Sequence, residues 1–565
     1  MKKHSIWKSI CYYNLITYSL ISVLIYCWYP IIEDGVFILL DISKTNVKYK
    51  YIKVILPIAI TLAMLYIFYV CTREKRYNLL TNRHYGSDHG KYKRTYNELI
   101  EYFKDADPYR IEEDTLVKAS WKNAEGMILG RTNKGYLLNV QSGKDGKNYF
   151  IFGLPSSGKT AGPIICSCLR FGMNHPLDEK NKSTFGSVFC IDLKNDIWKA
   201  TNKYRWIKRF NLMDPYNSCH YNPFEGITFL SIDERCNFIE NIGFNIIHEA
   251  LNGDSRYFTE TAYDYWNGIA LYLLHRNINT SFPDVIKAIL AGNAIDWVKI
   301  VVASDCEEAK RRLQSKWGEN EKNLSGGYSN LAQNCRKFAS DKLFYLLGND
   351  PQYEYISVQT LENGYDCYVQ LDQAEIANYA ALLSMIVQGF LNGFLQRENN
   401  PRAGRLSDGT LRPCLLCLDE FAQLTTLKYD SVATAFMTLR SKNVSIACAM
   451  QSRSSIAEMF HSENACKSLI DCVTTFCFLS IQEVETREWA SKLIGNKKVL
   501  RISNSLNDGF NGNKSSGRSV QEAIEPIFQP ADFGNLIDRN NGRDEIIIYS
   551  GGKYIKANKQ YYFNN

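Results

Sequence analysis

At 565 residues the chain is longer than one hydrophobic core sustains, and two or three domains are expected. Its composition, 45% hydrophobic and 22% charged, is that of a folded protein. A net charge of +7 permits contact with nucleic acid without arguing for it. The 17 cysteines are scattered. Cys414 and Cys417 lie three apart in a strand-like apolar run and would face opposite ways, so they read as buried thiols of a reducing compartment rather than as a metal or redox pair.

The chain opens with two stretches free of charge, at about 9–32 and 54–72 within an anchor of residues 1–75. Each is long enough to cross a bilayer, and two transmembrane helices are predicted. Lys2, Lys3 and Lys8 before the first and Arg73, Lys75 and Arg76 after the second place both termini in the cytoplasm. A cleavable signal peptide is the rival for the first stretch, which lacks an obvious small-residue cleavage site.

Residues 76–225 combine a polar, turn-rich lead-in with the first part of a sheet domain. Short strands are expected at 136–139 and 149–152, and between them and a helix at 161–173 stands GLPSSGKT, residues 153–160. Strand, glycine-rich turn and helix in this order fit a phosphate-binding loop. Gly153 and Gly158 let the backbone curl so that N–H groups point at a phosphate, and the helix adds its positive end. Leu154, Pro155, Ser156 and Ser157 complete the curl, Lys159 reaches the outer phosphates, and Thr160 offers a hydroxyl to magnesium. Further strands at 187–193 and 209–213 alternate with helices as a parallel sheet requires.

From 226 to 345 apolar residues recur at helical spacing (Ile232, Ile239, Ile242, Ile246), and Pro283 stands where a helix could begin. No strand is expected, so this region reads as an all-α insertion between two parts of the sheet domain. Within it, LSGGYS at 324–329 shares its first four letters with the signature of transporter ATPases, but reads as a glycine turn between helices.

The second part, residues 346–565, resumes with a strand at 367–371, a long helix at 374–395 and an exposed polar loop at 397–412. The apolar strand 414–418 then ends in Asp419 and Glu420. Paired with the loop, Asp419 would hold magnesium through water and Glu420 would polarise the attacking water. Strand 444–450 ends in Gln451, a candidate sensor of the γ phosphate. Arg440, just before that strand, is a candidate arginine finger for a neighbouring subunit. Strands at 474–481 and 545–549 pair around a glycine, serine and asparagine-rich loop at 503–517, read as mobile.

Taken in order, GLPSSGKT at 153–160, IDLKND at 191–196, YNPF at 221–224, FTETAYDYWNGIA at 258–270, LDEFAQL at 418–424, AMQS at 449–452 and IEPIFQPADFGNLI at 524–537 resemble the TraG-type coupling proteins of type IV secretion. The resemblance covers nearly the whole chain. It implies a RecA-like sheet domain carrying an all-α domain, two membrane helices, and a hexamer in the inner membrane. By the same resemblance ATP and Mg2+ are bound, Lys159 and Thr160 serve nucleotide and metal, Asp419 and Glu420 are the catalytic acids, and Gln451 is the strand-end glutamine. Arg440 matches only by its place before that strand. The implied work is coupling relaxase-bound single-stranded DNA to the secretion channel; the alternative is a docking receptor for protein cargo that ATP resets without DNA pumping. Pro155, Ser156 and Leu193 depart from the family's usual pattern.

Overall fold

A computed structural model describes residues 109–112, 119–143, 145–247, 253–508, 514–538 and 542–564, with backbone only for 253–255, 500–508 and 514–522. The expected membrane helices and most of the lead-in lie outside the described residues. The residues from Tyr109 onward form one compact unit.

Its frame is a twelve-stranded mixed sheet. In chain order the strands are β1 (Met127–Arg131), β2 (Leu137–Val140), β3 (Asn148–Phe152), β4 (Ser187–Asp192), β5 (Ile207–Asn211), β6 (Asp366–Gln370), β7 (Cys414–Leu418), β8 (Val444–Met450), β9 (Thr475–Phe478), then β10 (Asn496–Asp508) and β11 (Lys514–Pro526), which pair apart from the sheet, and β12 (Ile537–Asp538), β13 (Arg543–Ser550) and β14 (Lys553–Asn558). Across the sheet the order is β2-β1-β14-β13-β9-β3-β8-β7-β4-β6-β5, with β12 beside β13. The seven strands from β9 to β5 are mutually parallel. Antiparallel pairing to β9 adds β13, then β14, β1 and β2.

The central strands are buried throughout and mostly apolar because both faces are covered. Phe150 and Phe152 of β3 join the core on one side, Tyr149 and Ile151 the core on the other, as a period of two demands. On the first side the helix Ile376–Leu395 sets Phe390 against Phe189 of β4 at 4.4 Å between ring centroids, and the helix Val484–Ile494 sets Trp489 against Phe152 at 5.6 Å. The helix Ile376–Leu395 matches its sequence-based range closely; its length and apolarity would suit a membrane, but 67% of its most apolar window is buried inside the fold. On the second side the short helices Ile165–Arg170 and Asp196–Thr201 cover β3, β4 and β7. Cys414 and Cys417 fall on opposite sides, and all cysteines among the described residues are free.

Between β5 and β6 the described residues of 226–345 are helical, as expected, in the order Ile232–Ile246, Gly253–Arg276, Phe282–Ala291, Ala294–Val302, Glu307–Leu313, Glu321–Cys335 and Asp341–Leu346. Several starts are built from the side chain up. Ser231 and Ser281 each form a reciprocal capping box with Glu234 and Asp284, and Pro283 occupies the first turn. Apolar residues of these helices, such as Ile239, Trp266 and Phe282, belong to the same buried cluster as Phe189 and Phe390.

Three readings from the sequence need correction. The LSGGYS segment is no turn; it lies inside the helix Glu321–Cys335. Its glycines let two helices touch, since a Cβ on Gly326 would come within 2.4 Å of Phe258 and one on Gly327 within 2.3 Å of Thr261. The expected loop at 503–517 is largely an antiparallel ribbon, β10 against β11, paired continuously from Asn496↔Pro526 to Asp508↔Lys514. Backbone ladders form without an apolar face, so polar residues there hid the pairing. Third, the run 397–412 does not begin exposed: Arg397 is fully buried, its guanidinium against Glu362 and the carbonyls of Arg412 and Lys442.

Candidate nucleotide site

All the groups expected to handle phosphate, except Arg440, sit at the C-terminal ends of parallel strands, where an open α/β sheet places its crevice. The loop itself, residues 153–160, leaves β3 between β8 and β9. Gly153 N–H donates to the carbonyl of Met450 (3.1 Å) at the end of β8, and Leu154 N–H to that of Ser480 (2.8 Å) just past β9. These bonds hold the mouth of the loop to both neighbouring strands. Gly158 lies at φ 90°, where a side chain is strained. Ser156 takes the left-handed conformation too, at φ 62°, the cost of having serine where a glycine would be relaxed, about 1 kcal/mol.

The helix after the loop does not start as a plain α-helix at residue 161. Thr160–Ile164 form one wide π turn with Gly162 off helical geometry, and the regular helix is Ile165–Arg170. Pro163 has no N–H to close an ordinary first turn, so the chain widens there.

Lys159 curls back over its own loop, donating to the carbonyls of Gly153 (2.6 Å) and Leu154 (3.2 Å). Burial lowers its affinity for a proton, while the carboxylates of Glu420 and Asp419 pull the other way. Thr160 Oγ1 donates to Asp419 Oδ2 at 2.7 Å, joining two residues 259 positions apart. Asp419 Oδ1 is sealed from solvent and has no hydrogen-bond partner. Burial raises the Asp419 carboxyl to about 6; the Thr160 hydroxyl opposes this, Glu420 adds to it, and Lys159 and Lys194 oppose it. An unpaired buried carboxylate oxygen beside a hydroxyl is the donor set a hard divalent cation prefers, and the residues present fit magnesium. Glu420 follows in the left-handed region, φ 60° and ψ 47°, a strained backbone of the kind that gathers at functional sites.

Gln451 follows the last residue of β8 and is exposed beside the strand end that holds Gly153. Arg440 is elsewhere. It stands exposed on the turn Leu439–Lys442 before β8, where its carbonyl accepts from Gly146 N–H just ahead of β3. The length of β8, about 20 Å at strand rise, separates it from this chain's own loop. The sheet brings together the loop, Asp419, Glu420 and Gln451, and it does not bring Arg440 to them.

Two parts of the site were given no role in the sequence reading, although one lies within the IDLKND run. Lys194, two residues past the end of β4, acts electrostatically on both Asp419 and Lys159. Next to it Asp192 is buried, its carboxylate accepting from the N–H groups of Ile197 (3.3 Å) and Trp198 (2.8 Å) and from Gln370 Nε2 (3.3 Å), with its pKa raised by burial. A charged residue just beyond a buried parallel strand was the available signal. The second part is the chain's end, which runs along the loop: Tyr562 N–H donates to the carbonyl of Ala161 (3.3 Å), and a Cβ on Gly158 would meet Tyr561 Oη at 2.8 Å. Sequence spacing carries no trace of that approach.

The sequence model of the family described as Type IV secretory system Conjugative DNA transfer matches residues 110–565. Among relatives, the conjugal transfer protein TraG of Rhizobium radiobacter is 22% identical over 266 residues, 47% of this chain and 38% of that protein. The "Probable conjugal transfer protein TraG" of Sinorhizobium fredii is 22% identical over 482 residues, 80% of this chain and 68% of that one. The chain thus spans well under half the length of the first of these relatives in their shared region. Among solved structures, the plasmid coupling protein TrwB in complex with a non-hydrolysable ATP analogue has a TM-score of 0.57 at 13% identity, covering 80% of this chain and 93% of that one. The same protein with ADP and Mg2+ gives 0.56 at 14%, covering 79% and 90%. The likeness is one of fold: a mixed α/β unit on a large sheet. By its match over residues 110–565, the chain belongs to the type IV secretory system conjugative DNA transfer family.

Proposed function

We propose that the protein is a membrane-anchored ATPase that couples relaxase-bound single-stranded DNA to a type IV secretion channel. The observation that carries the enzymatic part is the meeting of Thr160 and Asp419 at 2.7 Å beside an unpaired buried carboxylate oxygen, at the mouth of a glycine-rich loop. In this reading residues 153–160 wrap the phosphates of ATP, and Lys159 exchanges its two loop carbonyls for phosphate oxygens. Thr160 and Asp419 hold the metal, which when bound neutralises charge on the outer phosphates. Glu420, next to the metal ligand, orients and deprotonates the attacking water, and Gln451 reads the γ phosphate from the end of β8. Arg440, exposed and a strand length away from its own loop, is suited to act on a neighbour, which makes a ring, a hexamer by family resemblance, the working assembly.

Family membership supports the partners: single-stranded DNA, relaxase and channel components at the inner membrane. The two charge-free stretches at 9–32 and 54–72 supply the anchor, with the ATPase unit cytoplasmic. The helical stretch 226–345 serves as a domain inserted between residues 76–225 and 346–565 of the nucleotide-binding part.

ATP turnover by the full chain, measured with and without single-stranded DNA, tests this reading. Stimulation by DNA that disappears in Lys159→Ala is expected. Turnover unaffected by both DNA and the substitution would overturn it.

A further inference from the structure

If the loop holds a nucleoside triphosphate, as proposed above, the sheet determines which way the nucleoside leaves. Thr160 turns to Asp419 at the end of β7, so the metal and outer phosphates lie on the β8–β7 side of β3. The rest of the ligand must then extend the other way, toward β9, β13 and β14. The residues that follow β14 stand there. A Cβ on Gly158 would lie 2.8 Å from Tyr561 Oη and 3.0 Å from its Cε1, and one on Gly162 would lie 3.2 Å from the carbonyl of Gln560.

Tyr561 is firmly placed. Its hydroxyl donates to Asp544 Oδ2 (2.6 Å), and Asp544 Oδ1 accepts from Lys559 Nζ (2.6 Å). Its ring lies parallel to that of Phe563, 5.2 Å between centroids and 7° between planes, and Phe563 is 64% exposed. An aromatic ring fixed by its polar tip, backed by a second ring and set against the loop on the nucleoside side, has the form of a stacking surface.

We propose that Tyr561, backed by Phe563, is the platform on which the base of the bound nucleoside triphosphate stacks. Stacking uses the π face that every base possesses, so adenine and guanine nucleotides are both accepted. Gly158 must stay glycine for two reasons, its positive φ and the ring that occupies the space a side chain would need.

Equilibrium binding of ATP and of inorganic tripolyphosphate to the full chain tests this. In Tyr561→Leu, which keeps apolar volume beside Gly158, ATP affinity should fall on the order of tenfold while tripolyphosphate affinity holds. Tyr561→Phe, which keeps the ring, should recover the preference for ATP that the leucine variant loses. Lys159→Ala should weaken both ligands. A wild-type chain that binds neither ligand overturns the ATP reading and the platform with it. Equal loss of both ligands in Tyr561→Leu, tighter binding of both, or no change would overturn the platform alone. A measurement on the wild type stands apart from any folding defect. Photolabelling with 8-azido-ATP should modify the tryptic peptide that begins at Gln560, and labelling confined to other peptides would also overturn the platform.

Discussion

Replacing Asp419 by asparagine should flatten the pH dependence of metal-assisted nucleotide binding. Burial holds the Asp419 carboxyl at about 6, above the ordinary aspartate value, and Oδ1 has no partner to stabilise its charge. The group is therefore about nine-tenths ionised near pH ~7 and about one-tenth ionised near pH ~5. Only the ionised form can hold magnesium, so Mg–nucleotide affinity should drop roughly tenfold across that window, ~1.4 kcal/mol. The sign also fixes a linkage. A raised folded pKa means that this carboxyl favours the metal-free fold at pH below the unfolded value and that this contribution is lost as pH rises through about 6. Magnesium should accordingly stabilise the fold more at pH ~7 than at pH ~5. The assay is titration calorimetry with Mg–ATP over the window, wild type against Asp419→Asn. Because the terminal phosphate of the nucleotide has its own pKa of about 6, the difference between the two proteins is the quantity to read. An equal drop in both proteins, or a flat wild type, would refute the assignment of Asp419 to the metal.

Glu420→Gln should bind Mg–ATP with little change and lose turnover by about 10²–10⁴-fold, measured as phosphate release. Arg440→Ala and Lys159→Ala chains should each be inactive alone and regain part of the turnover when mixed, since an intact loop can then face an intact arginine; mixtures that stay inactive would remove Arg440 from the neighbour's site. Asp366→Ala should cost about 3–5 kcal/mol in denaturant unfolding, because it strands the guanidinium of Arg205, buried and paired at 2.5 Å and 3.0 Å, without a counter-charge. Gly327→Val should lower stability by about 1–3 kcal/mol by prising the helix Glu321–Cys335 from Thr261, and should leave nucleotide affinity alone.

The parts of the candidate site that the fold brings together were legible in the sequence because each is local. A glycine-rich turn after an apolar strand, and an acid pair after another, announce themselves by composition within a few residues, and strands β7 and β8 have the bounds the apolar runs suggested. What escaped was set by tertiary approach. Gly326 and Gly327 look like turn residues until Phe258 and Thr261 are seen to need their missing side chains. Arg397 looks like a loop residue until Glu362 is seen buried with it. The π turn at Thr160–Ile164 shows the opposite case: Pro163 is plain in the sequence, and its missing N–H breaks the helix expected from 161. The glycine-, serine- and asparagine-rich run at 503–517 hid the pairing of β10 with β11, and Tyr561 lies 403 positions from Gly158 by the numbering of the chain.

The hydrogen bond from Gly146 to Arg440 lies at one end of a stiff element. From there β3 and β8 run side by side, in register from Asn148↔Ile446 to Phe152↔Met450, and at the far end Gly153 is tied to Met450. Two strands bonded along their whole length do not absorb a push by bending as a loop does; they pass it on as a strut. In the ring proposed above, a force applied at Arg440 by an adjoining copy would arrive at the mouth of the phosphate loop, and a loop tightening on its ligand would move Arg440 in return. Timing between neighbouring sites of such a ring would then need no separate messenger.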